Sequence, residues 1–156
     1  MAIAPGVAAP PPTRATAWRA RPVLLATLGV PFQPQASAFA VDTAVEAAQP
    51  LIVVNVVALP PLAMSVNMRY DQLDDEPTVA EALRFPAEIA RSLGVSVERL
   101  RVRSLRPVEA LLELVAERRP GLVVFGPERS KLRPRRYRKA AQALCDRAPC
   151  LVWLPS

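Results

Sequence analysis

Histidine is absent from this chain of 156 residues. That removes Ser-His and Cys-His nucleophilic pairs and every His-ligated metal site. Cysteine is nearly absent. Cys145 and Cys150 are too few for a structural zinc site, and with cytosolic disulfides rare both are expected as reduced core residues. Glycine is scarce as well, with five in all: Gly6, Gly29, Gly94, Gly121 and Gly126. Neither the P-loop pattern GxxxxGKS/T nor the dinucleotide fingerprint GxGxxG occurs. No apolar run approaches the ~20 residues of a membrane helix.

What the chain does contain suits one domain with one buried core, since about half its residues are apolar. The opening segment MAIAPGVAAPPPTRATAWRARP is repeatedly broken by proline and lacks the charged start and unbroken apolar stretch of an export signal. Residues 1–21 therefore read as a flexible Ala/Pro-rich tail ahead of a domain at 22–156, and the cytoplasm is the expected location.

Four short apolar runs stand out: VLLATLG (23–29), LIVVNVVAL (51–59), LVVFG (122–126) and CLVWL (150–154). None alternates, as expected of strands covered by helices on both faces. A fifth, VERLRVR (97–103), sets Leu100 and Val102 opposite Arg99, Arg101 and Arg103, the pattern of a charged edge strand.

Helical periodicity fills the gaps. Val41, Ala44, Val45 and Ala48 form one stripe; Val79, Ala82, Leu83, Pro86, Ala90 and Leu93 form a second, with Pro86 expected to kink or split it. Val108, Leu111, Leu112 and Val115 make a third; Tyr137, Ala140, Ala141, Leu144 and Cys145 a fourth. The order β-α-β-α-β-α-β-α-β predicts an α/β fold, a Rossmann-like three-layer arrangement around a five-stranded parallel sheet. The stretch from Pro60 to Glu76 lacks periodicity and reads as a solvated loop whose Asp71, Asp74, Asp75 and Glu76 could cap the next helix.

Charge is concentrated. Of 20 basic residues, seven (Arg129, Lys131, Arg133, Arg135, Arg136, Arg138, Lys139) fall in one acid-free stretch, leaving 13 against all 14 acids. The block spans the loop after the fourth strand and the start of the last helix, where open α/β sheets bind ligands. Three readings follow. The block is a solvated, mildly strained loop; or its side chains clamp an anion, either a phosphate compound or an acidic protein; or it grips a polyanion, nucleic acid or an anionic membrane surface. Tyr137 is the one interleaved aromatic. No catalytic constellation is visible: Ser130 has no histidine to activate it, and Lys131 reads as a surface lysine.

VLLATLGVP (23–31), and the run from GLVVFGPE (121–128) through the basic helix to APCLVWLP (148–155), resemble the universal stress protein family over about residues 22–155. The resemblance implies strand order 3-2-1-4-5 and a homodimer in which the last strands meet, placing Val152 and Trp153 near an interface unless Trp153 is simply core. It also implies an ATP site, with an acid at the end of the first strand and a glycine-rich loop after the fourth that wraps the phosphates. At the matching positions this chain keeps Gly29 and Gly126, but has Leu28 for the acid and Arg129 for the loop's second glycine. Arg138 and Lys139 lie near the family's Gly-Ser pair. The expectation is a non-catalytic, regulatory or stress-related binding domain with a degenerate nucleotide site, no bound metal and no cofactor, ATP not being held in the family manner. The alternative is a phosphate or nucleotide site formed by Gly126, Arg129, Lys131, Arg133, Arg138 and Lys139.

Overall fold

A computed structural model describes residues 21–59 and 77–156. Residues 1–20 of the expected tail, and the acidic loop at 60–76, lie outside the described residues.

The elements are β1 (Val23–Thr27), α1 (Pro34–Ala47), β2 (Leu51–Ala58), α2 (Pro77–Ser92), β3 (Val97–Ser104), α3 (Pro107–Arg118), β4 (Leu122–Phe125), α4 (Pro134–Arg147) and β5 (Leu151–Trp153). They build a parallel sheet ordered β3-β2-β1-β4-β5. β1 lies at the centre, and its five residues are all buried. Alternate side chains enter two apolar layers. Leu24, Ala26, Val54 and Phe125 pack with α3 and α4. Val23, Leu25, Val53 and Val124 pack with α1 and the buried Ala90 of α2. Coverage on both faces explains the continuous apolar runs.

Several local expectations are corrected. On α1 the sheet-facing stripe is Ala36, Ala40, Val41 and Ala44; Val45 is 37% exposed. Ala48 lies past the helix as its left-handed cap, at φ 52°. Small residues every fourth position let α1 sit close to the sheet, so Ala36 and Ala40 take the contact expected of Val45 and Ala48. α2 is not split at Pro86, and Leu93 is 54% exposed. Gly94 then ends that segment at φ 83°, with its N–H donating to Arg91. Cys145 is exposed on α4 instead of buried, while Cys150 is half-buried; neither is in a disulfide. Burial raises the Cys150 thiol pKa, against the opposing charge of Arg21.

Among the described strands, β3 pairs with β2 alone. It exposes Arg99 and Arg101, while Leu100 and Val102 pack inward. Glu98 of this edge strand pairs with Arg118 at the end of α3 at 2.7 Å.

Candidate functional site

Strands β1 and β4 are neighbours, yet their following helices, α1 and α4, lie on opposite faces of the sheet. Beyond their carboxyl ends is the switch point at which such sheets take ligands. The β1 turn is tied down there. Thr27 Oγ1 donates to the Val30 carbonyl at 2.8 Å, and the Gly29 N–H donates to Asn55 Oδ1 of β2 at 2.7 Å. Gly29 holds φ 70°, a left-handed conformation that favours glycine. Leu28 is 2% exposed and belongs to the α3/α4 side of the core.

The loop after β4 is sewn to the loop after β1. The Gly126 N–H donates to the Ala26 carbonyl, and the Gly126 carbonyl accepts from the Gln33 N–H. Phe32 and Pro127 form an antiparallel bridge, and the Glu128 N–H donates to the Pro31 carbonyl at 2.8 Å. The Lys131 N–H is taken by the Glu128 carbonyl. A Cβ on residue 126 would overlap that of Ala36, so glycine here lets α1 approach β4.

Side chains of the basic block are partly engaged as well. The Arg129 guanidinium lies 4.4 Å from the centroid of the Tyr137 ring, a cation–π contact. Tyr137 in turn stacks on Phe125 at 5.7 Å. Lys131 Nζ reaches Glu128 Oε2 at 3.5 Å, and Ser130 Oγ donates to Glu128 Oε1. Glu128, just outside the acid-free stretch, is the local counter-charge that the sequence reading passed over. Arg133 is the N-cap residue of α4 and makes no side-chain cap.

Between the first turn of α3 and the length of α4 lies a cleft of about 580 Å³. Leu28, Ala58, Pro107, Val108 and Ala143 give it an apolar wall, and its described charged lining is Arg106, Arg136, Lys139 and Arg147 with one carboxylate, Glu109. Arg147 holds Glu109 with two bonds, Nη1 to Oε1 at 2.6 Å and Nη2 to Oε2 at 3.0 Å. That hydrogen bond lowers the Glu109 pKa; burial opposes it as the next largest effect, and the charges of Arg147, Arg106 and Lys139 add to the lowering. A carboxylate shifted downward stabilises the fold above its ordinary titration range, and that contribution fades as pH falls through the lowered value.

Of the positions named from the sequence, Leu28 and Lys139 line this cleft. Gly29, Gly126, Arg129, Lys131, Arg133 and Arg138 are not among its described lining residues. Arg136, a member of the basic block, also lines it, as do Arg106, Glu109 and Arg147, which lie outside the site expected from the sequence. Helical phase was the available signal: positions 136, 139, 143 and 147 are spaced three, four and four apart, one face of α4. A hollow of about 370 Å³ between α1 and α2 is walled by Phe32, Val41, Phe85 and Ile89, with Asp42 the one charged residue of its described lining. No group of three or more His, Cys, Asp or Glu able to hold a metal ion occurs among the described residues.

The family model described as the universal stress protein family matches residues 19–154. This chain belongs to the universal stress protein family. Solved members share the fold at low sequence identity. A universal stress family protein from Burkholderia pseudomallei superposes with a TM-score of 0.64 at 19% identity, over 88% of this chain and 96% of that one. A universal stress protein from Archaeoglobus fulgidus in complex with dAMP gives 0.62 at 18% identity, over 86% and 96%. A family protein from Arabidopsis thaliana with AMP bound gives 0.57 at 16% identity, over 86% and 90%. None of the curated proteins is a significant match to this sequence. As for membrane contact, no described helix of this universal stress protein is long and apolar enough to cross a bilayer.

Proposed function

We propose that this universal stress protein domain is a non-catalytic regulatory binding module. It takes a phosphate-bearing small molecule in the cleft between α3 and α4, and holds it by cationic side chains where the family pattern uses a glycine cradle. The observation that carries this reading is the state of the loop after β4. Main-chain capture of phosphate needs free N–H groups. Those of Gly126, Glu128 and Lys131 are spent within the protein, and Pro127 has none. Arg129, in place of the second glycine, lies on Tyr137. With Leu28 buried where the family acid would stand, neither ribose nor triphosphate finds its usual partners.

Cations supply the alternative. Arg136 and Lys139 form no salt bridge among the described residues, and the cleft's described lining sets four cations against one acid. The first turn of α4 carries no acid, so its arginines oppose the helix dipole at about 0.3–1 kcal/mol each. A bound anion relieves that opposition. Guanidinium matches phosphate geometry, and the apolar wall suits a sugar or base. The relatives solved with AMP and dAMP support a ligand of nucleotide size.

Calorimetric titration with AMP, ATP and inorganic phosphate tests the proposal. Arg136→Ala with Lys139→Ala is expected to weaken AMP and phosphate binding about tenfold or more, roughly 1.4 kcal/mol. ATP bound tightly and indifferently to both substitutions would overturn it, as would ATP hydrolysis above the protein-free rate.

The same domain is proposed to pair with a second copy through β5. This edge strand has Leu151 57% exposed and Val152 half-buried. Trp153 has an intrachain role, stacking on Phe39 at 4.3 Å, so Leu151 and Val152 are the better contact residues. Light scattering on the eluting protein should give twice the 16.9 kDa chain mass, and Leu151→Asp should return the monomer. A wild-type monomer at high micromolar concentration defeats this proposal.

A further inference from the structure

We infer that Glu109 is a built-in competitor for the cleft's anion position, and that an incoming phosphate takes Arg147 from it. The inference rests on the cleft being an anion site, and it assigns that site its regulation.

A carboxylate already occupies the place where the cations converge. Glu109 stands in the first turn of α3 and Arg147 in the last turn of α4, and two parallel bonds of 2.6 and 3.0 Å join them across the cleft. Arg106 and Lys139 act on the same carboxylate. A guanidinium that presents both donors to a carboxylate presents the geometry that fits a phosphate. Both partners are about half exposed, at 54% and 45%, so the pair is of the weak, exchangeable kind.

An anion entering the cleft meets Arg136, Lys139 and Arg106 open to it, and Arg147 occupied. Exchange breaks the Arg147–Glu109 pair and forms an Arg147–phosphate pair, with Glu109 turning to solvent. The apparent affinity is then the intrinsic affinity multiplied by the fraction of molecules in which Arg147 is free. The pair also braces α3 against α4. A ligand held by Arg106 at the head of α3 and by Arg136 and Arg147 on α4 takes over that brace.

Titrations with inorganic phosphate and with AMP, at one fixed ionic strength, separate the possibilities. The proteins are wild type, Glu109→Gln, Arg147→Met and the double variant, each checked for an unchanged circular dichroism spectrum. Glu109→Ala serves if the glutamine variant misfolds. Glu109→Gln is expected to tighten binding about five- to tenfold, and in the Arg147→Met background the same change should give less than about twofold. An unchanged or weaker affinity in Glu109→Gln overturns the inference, because Glu109 then orients Arg147 for the ligand. An equal gain in both backgrounds also overturns it, because the effect is then general charge. Absence of phosphate and AMP binding in all four proteins defeats the cleft as an anion site, and this inference with it.

Discussion

Phe125→Ala is expected to destabilise the domain by about 3–5 kcal/mol, the range for removing a buried aromatic side chain. Phe125 is fully buried at the carboxyl end of β4, paired in register with Ala26. Its ring carries Tyr137, and Tyr137 carries Arg129. The truncation therefore removes core volume and the seat of the basic loop together. Urea unfolding followed by circular dichroism gives the number. Phe125→Leu, which keeps most of the volume, should cost less than about 1.5 kcal/mol. A loss below about 1 kcal/mol for the alanine variant would mean that α4 settles into the space and that the stack is not its foundation.

The second large effect is expected at Gly126. Alanine there should cost about 1–3 kcal/mol by overpacking, since the new methyl overlaps Ala36 of α1. Ala36→Gly in the same molecule should recover much of the loss, and a double-mutant cycle measures the coupling. Gly29 provides the contrast. A Cβ at Gly29 meets nothing within 4 Å, but φ is 70°, so Gly29→Ala should cost about 1 kcal/mol through backbone conformation. Failure of Ala36→Gly to rescue would remove the steric explanation for Gly126. Its glycine answers to helix packing, so keeping it says nothing about whether a phosphate binds nearby.

The architecture was legible because its signals are local. LIVVNVVA has β-branched residues on both faces and became β2, and Pro107 and Pro134 opened their helices as first-turn prolines. Errors came where burial depends on distance of approach. Val45 and Cys145 have the right period, yet α1 contacts the sheet through alanines and α4 turns Cys145 outward. The cleft was harder to read for a different reason. Counting cations drew attention to Arg129, Arg133 and Arg138 together, although a helix sends neighbours to different faces. Helical phase would have singled out Arg136 and Lys139 within that block and added Arg147. It could not have added Arg106 and Glu109, because only the packing of α3 beside α4 brings residues some forty positions apart into one cleft.

β1 occupies the middle of the sheet, and that position dictates an order of assembly. One of its partners, β2, follows after a single crossover; the other, β4, is made roughly a hundred positions later. During synthesis the backbone groups on the β4 side of β1 stay unpaired until almost the whole domain has emerged. An early fragment ending before Leu122 thus presents an apolar strand edge to the cell, and chaperone demand should be set by that interval more than by the stability of the finished fold.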